Sequence, residues 1–122
     1  MIKYPTLDAI EALLSTKLEK TGTTLTFLNK SNFLFILESI REVGENNEKN
    51  NETTALVTKT SYLIAKIIDL HPLADGNKRA AAILALFFLA TNGKKLQTTH
   101  DEFYGVLLGF ARHVLKENDI SN

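Results

Sequence analysis

Cysteine is absent from this 122-residue chain, and the absence removes a block of chemistry at once. Thiol nucleophiles, disulfides and cysteine-based zinc centres are excluded. A chain without disulfides suits a reducing compartment, so a cytoplasmic setting is expected. Net charge is absent too, because fourteen Lys and Arg balance fourteen Asp and Glu. No global field draws such a protein to nucleic acid or to an acidic membrane, and direct nucleic-acid binding is not expected. Any strong electrostatic site must be local. Long apolar runs are missing as well. The longest, Ala80 to Ala90, falls well short of the ~20 residues that cross a bilayer, so no membrane partner is expected. The opening stretch, MIKYPTLDAIEALL, carries one lysine and no long apolar core, unlike a signal peptide. Internal repeats are also lacking.

What remains is ordinary globular material, 44% hydrophobic and 23% charged, at a length that suits one domain over residues 1–122 with one core. Its apolar spacing is helical. Leu7, Ile10, Leu13, Leu14 and Leu18 recur at steps of three and four, with Thr6 as the cap and Gly22 as the stop. Residues 23–28, TTLTFL, are rich in β-branched and aromatic side chains. They are too few for an independent sheet and predict an extended flap or hairpin arm. A second helix is expected from Ser31 or Asn32 to near Gly44, with Phe33, Phe35, Ile36 and Ile40 as its apolar set. Residues 44–54, GENNEKNNETT, form the one low-complexity segment and read as a surface connector.

Two central helices follow, Thr54 to Leu70 and Ala80 to Ala90, each apolar on several faces, as buried helices are. The second is expected to end at the Asn92-Gly93 pair. Lys95 to Gln97 make a short extended link, and Thr99 or His100 opens a last helix carrying Phe103, Val106, Leu107, Phe110, Val114 and Leu115. The expected fold is therefore all-α, a bundle of five to six helices with a small flap or hairpin.

Between the two central helices lies HPLADGNKRA, residues 71–80, with an unusual charge density for its surroundings. Pro72 ends the first helix and puts His71 at its exit. Asp75-Gly76 makes a tight turn, Asn77 caps the next helix, and Lys78 and Arg79 fall in its first turn. Cations there oppose the helix dipole at a cost of a few tenths of a kcal/mol each. A phosphate reverses that sign, because free backbone N–H groups, a glycine that permits close approach, a lysine and an arginine then meet one anion. Asp75 offers a hard oxygen that suits Mg²⁺ beside phosphates. His71 is the side-chain type suited to take a proton from a hydroxyl near neutral pH. Singly, a histidine, an Asp-Gly turn and a Lys-Arg pair are commonplace. Together on one loop between buried helices they read as a phosphoryl- or nucleotidyl-transfer site.

These residues resemble the Fic/Doc family pattern H-x-F-x-[D/E]-[G/A]-N-[G/K]-R, filled here by His71, Asp75, Gly76, Asn77, Lys78 and Arg79. FLFILESI (33–40) and FLATNGKKL (88–96) are similar to family stretches on either side, so the likeness covers most of residues 20–97. Lys78 makes the motif resemble the Doc branch, since the AMP-transferring branch usually carries glycine there. The resemblance implies a toxin kinase that moves the γ-phosphoryl of ATP to a hydroxyl of a target protein, translation elongation factor Tu in the family example. It implies an antitoxin partner, ATP and Mg²⁺. His71 would be the general base and Asp75 the metal ligand, while Gly76, Asn77, Lys78 and Arg79 hold phosphates. The arm at residues 23–30 would align the target by strand addition. Two alternatives accompany this reading: a Fic-type AMP transferase and a non-catalytic phosphate-binding interaction domain. Leu73 replaces the family phenylalanine, which predicts looser anchoring of the loop, and the arm lacks the Gly-rich, Arg-containing pattern of Doc-like chains. Partial matches to the family's inhibitory helix, [S/T]-x-x-x-E-[G/N], occur at Ser15 and Glu19, where Lys20 breaks the pattern. A second occurs at Glu117-Asn118, where His113 breaks it. Inhibition from a separate chain is the expectation.

Overall fold

A computed structural model describes residues 1–44 and 52–94. Among them the chain forms four helices, α1 (Leu7–Glu19), α2 (Lys30–Ser39), α3 (Glu52–Leu70) and α4 (Asn77–Thr91), so the fold is all-α as expected. The link at Lys95 to Gln97, the last helix expected from Thr99 or His100, and the Glu117-Asn118 match lie outside the described residues. The described count is thus four helices, against five to six expected.

Local chemistry places most helix ends. Thr6 caps α1, its Oγ1 accepting from the Ala9 N–H at 3.2 Å. At the other end Gly22 takes φ +84°, and the Thr23 N–H returns to the Leu18 carbonyl at 3.0 Å. Helix α2 starts one residue before the expected Ser31. Asn29 is its cap, with Oδ1 accepting from the Asn32 N–H at 3.0 Å.

The expected end of α2 near Gly44 is corrected: the helix stops at Ser39. The reason is Lys59 of α3, whose side chain is 0% exposed. Its ammonium donates to the carbonyls of Ile40 (2.8 Å), Arg41 (3.1 Å) and Val43 (2.7 Å). All three ammonium donors are satisfied, as are the carbonyls of the turn that follows α2, and the positive charge sits at the negative end of that helix. The apolar reading of α3 is accordingly incomplete. Its buried face includes Lys59, Thr60 and Ser61 among Ala55, Leu56, Leu63, Ile64, Ala65 and Ile67. Thr60 and Ser61 satisfy their hydroxyls on the carbonyls of Leu56 and Val57, both at 2.8 Å.

The core lies where α4 packs on α3, with α1 against α4 and α2 against α3. Ala80, Ala81, Ala82 and Ala85 of α4 are buried. Small side chains there let the two central helices approach closely. Leu14, Leu18, Phe33, Ile36, Leu63, Ile64 and Phe88 fill the space around them. At the far end of α4, Asn92 accepts from the Lys3 N–H at 2.7 Å and donates to the Lys3 carbonyl at 2.9 Å, which ties the N-terminal segment down. Tyr4 then stacks on Phe88 at 5.8 Å. None of the described helices is long and apolar enough to cross a membrane.

Of the two forms expected for the arm between α1 and α2, the structure shows the extended flap and not the hairpin. Among the described residues no strand forms. The arm makes one isolated antiparallel bridge, Phe27 to Leu73, and its partner is the charged loop itself. The Ala74 N–H donates to the Thr26 carbonyl and the Leu28 N–H to the Pro72 carbonyl, both at 2.8 Å. Phe27 packs on Phe33 at 5.1 Å, and Lys30 pairs with Glu11 of α1 at 2.9 Å. The arm is held at both ends.

Candidate active site

The loop at residues 71–76 joins α3 to α4 through two left-handed residues. His71 has φ +46°, unusual for a residue with a Cβ. Its N–H closes the last turn of α3 on the Ile67 carbonyl at 3.2 Å. Pro72 follows, buried, and prevents the helix from continuing. The imidazole is thereby set at the helix exit, exposed, as the sequence predicted. Gly76 has φ +80°, a conformation that glycine adopts without strain.

Gly76, not Asn77, is the N-cap of α4, and no side chain caps that helix. The expected capping role of Asn77 is therefore corrected. Asn77 is the first helical residue, 8% exposed. Its carboxamide turns back on the loop, accepting from the Leu73 N–H and donating to the Leu73 carbonyl, each at 2.9 Å. Its two polar functions are spent on the backbone, so only its own N–H faces the helix start. The first intrahelical bond is Ala80 N–H to the Gly76 carbonyl at 2.8 Å. The N–H groups of Asn77, Lys78 and Arg79 precede that bond and have no capping side chain. They are an uncapped positive helix terminus.

Leu73 is 1% exposed. The expectation of loose anchoring rested on its side chain alone. The structure adds the Asn77 clamp on one side and the bridge to Phe27 on the other, so the loop backbone is held from both directions.

The uncapped terminus opens into a cleft of about 880 Å³. His71, Asp75, Gly76, Asn77, Lys78 and Arg79 all line it, so the fold brings every predicted site residue to one place. Asp75 uses Oδ1 to accept from the Gly76 N–H at 2.8 Å. Its Oδ2 makes no hydrogen bond among the described residues. No cluster of three or more His, Cys, Asp or Glu that could hold a metal occurs among them. One free carboxylate oxygen beside an uncapped helix terminus fits Mg²⁺, which is commonly held by one or two carboxylates together with substrate phosphates. The donor set is right for a metal that arrives with its nucleotide.

Lys78 and Arg79 are exposed and make no ion pair among the described residues. Sequence reasoning missed their neighbours. Lys17, Lys20, Thr21 and Thr23, from the end of α1 and the turn after it, form the opposite wall, and Ala82 and Ile83 of α4 add an apolar patch. A cation three residues after another at a helix end was the available signal, but only packing shows which site that end faces. The α1 residue of the partial inhibitory match behaves differently. Glu19 accepts from Ser15 Oγ at 3.4 Å and does not line the cleft.

The family model described as "Fic/DOC family" matches residues 4–89. No curated protein and no solved structure matches the chain. The family match starts before α1, takes in the arm and the whole charged loop, and ends within α4, the helix whose uncapped start floors the cleft. On a match over more than two thirds of its residues, with that loop inside the matched range, the chain belongs to the Fic/DOC family.

Proposed function

We propose that the protein is a Doc-like ATP-dependent transferase, moving the γ-phosphoryl of ATP to a hydroxyl of a target protein. Family membership supports the coarser statement, an ATP- and metal-using transferase acting on proteins. One observation carries the finer one. His71 and the uncapped N-terminus of α4, which bears Lys78 and Arg79, open into the same cleft.

His71 accepts the proton of the attacking hydroxyl, the hydroxyl oxygen bonds to the γ-phosphorus, and the bond to the β–γ bridging oxygen breaks to release ADP. The N–H groups at the start of α4, with Lys78 and Arg79, take the phosphate charge. Asp75 would hold Mg²⁺, which would supply neutralisation of the phosphate charge. Lys78 favours phosphoryl over nucleotidyl transfer, because its side chain fills space that glycine would leave for deeper entry of the phosphates. The arm supports peptide alignment. Thr26 and Leu28 face the loop, and the Phe27 N–H and carbonyl, which make no backbone bond among the described residues, lie on the opposite edge. By resemblance the target is elongation factor Tu, the outcome a block of translation in the cytoplasm, and the restraint a separate antitoxin.

The test uses ATP labelled at either the α or the γ position, with Mg²⁺ and elongation factor Tu. Transfer of the γ label, abolished by His71→Ala, is the expected result. Transfer of the α label would assign AMP transfer instead. Toxicity on expression that survives His71→Ala would assign a non-catalytic interaction domain.

A further inference from the structure

We propose that Lys17 and Lys20, at the end of α1, form a second anion subsite that holds the phosphates of a nucleoside triphosphate beyond the one seated at the start of α4, and sets a preference for triphosphate over monophosphate. The identity of the ligand rests on the transferase reading above. The subsite itself rests on the packing of α1 against α4.

The two lysines are three residues apart, so they share a helix face. Leu18, between them, is 0% exposed. Its Cδ2 lies 3.4 Å from where a Cβ on Gly76 would stand, and Thr23 Cγ2 lies at the same distance. The end of α1 is therefore seated directly against the start of α4. Lys17 and Lys20 both line the cleft that Lys78 and Arg79 enter from the other wall. None of the four makes an ion pair among the described residues, where the recorded pairs are Met1–Glu52 and Lys30–Glu11.

The α1 dipole accounts for a cation in the last turn at a few tenths of a kcal/mol. It does not account for both lysines facing a cleft already occupied by two cations and a single carboxylate, Asp75. Four like charges around one space repel one another, and an anion of several charges turns that repulsion into attraction. The uncapped turn of α4 offers N–H groups enough for one phosphate. A polyphosphate tail needs cations beyond that turn, and the α1 wall supplies them on a protein of zero net charge.

The experiment compares the parent with a Lys17→Gln/Lys20→Gln double variant and with Arg79→Ala. Binding of ATP, AMP and inorganic tripolyphosphate is measured by calorimetry at fixed salt. Glutamine matches lysine in helix propensity, and both lysines are exposed, so the unliganded double variant should unfold at the parent's temperature. Its affinity for ATP and tripolyphosphate should fall about tenfold or more, with AMP affinity unchanged and Lys17→Arg/Lys20→Arg restoring the parent's values. Undiminished ATP and tripolyphosphate binding in the double variant overturns the subsite. Loss of ATP binding in Arg79→Ala at the same time keeps the transferase reading standing. Equal weakening of ATP and AMP overturns the role in counting phosphates. Tripolyphosphate binding that depends on the two lysines, in a parent that does not bind ATP, keeps the subsite and overturns the nucleotide reading. A parent that binds none of the three overturns both.

Discussion

The carboxamide of Asn77 holds Leu73 by both of its backbone groups, at 2.9 Å each. A side chain at the start of one helix thereby fixes the conformation of the loop that leads into it. The Asn77→Ala variant leaves a buried N–H and a buried carbonyl without partners. It should lose about 2–4 kcal/mol of stability, read from urea unfolding, and should lose transfer activity as the loop relaxes. A loss below about 1 kcal/mol would mean that water replaces the clamp.

His71 occupies a left-handed conformation that costs a non-glycine residue free energy. Replacing it by glycine relieves that strain while removing the imidazole. The His71→Gly variant should therefore be as stable as the parent or more stable by up to about 1 kcal/mol, and inactive in transfer. A clear fall in its unfolding midpoint would show that the imidazole contributes to packing instead.

Gly76 presents the converse case. Its φ of +80° disfavours any Cβ, while the nearest side-chain atoms, at 3.4 Å, leave room for one. The cost of Gly76→Ala should be backbone strain, about 1–2 kcal/mol. Phosphate or sulfate should raise the melting temperature of the parent, and should do so less for Gly76→Ala, whose N-terminal turn is displaced. Equal stabilisation of the two by phosphate would place the anion elsewhere.

Lys59 is the most deeply buried charged side chain among the described residues. The Lys59→Met variant keeps the aliphatic volume and strips three carbonyls of their donor. Some of these carbonyls are reachable by water, so the loss should be about 2–4 kcal/mol, measured by thermal or denaturant unfolding. The end of α2 should exchange its amide hydrogens faster as well. An unchanged midpoint would show that water satisfies the end of α2 unaided.

Much of the site was legible in the sequence because its signals are local. Pro72 stops a helix by sterics with its neighbours, Thr6 and Gly22 bound α1 by hydrogen bonding and φ, and the charges of residues 75–79 are contiguous. The misreadings come from hydrogen-bond partners that the local residue pattern does not reveal. Asn77 has the right chemistry for a cap, yet the buried backbone of Leu73 competes for its amide and wins. The apolar reading of residues 54–70 passed over Lys59, because the carbonyls after α2 that it satisfies lie sixteen to nineteen positions earlier. Composition left the arm open between an extended flap and a hairpin, and a single bridge to the loop, which satisfies its inner edge, decides for the flap.

The sequence by itself determined that this is an all-α chain with a charged loop between two apolar helices, since helical periodicity, turn residues and clustered charge act over a few positions. Only the tertiary structure decided what that loop faces. The end of α1 is seated on Gly76, and Lys17 and Lys20 share a cleft with Lys78 and Arg79, because Leu18 had to be buried against α4. Burial of that one leucine, a hydrophobic requirement blind to charge, carries two lysines to the rim of the site.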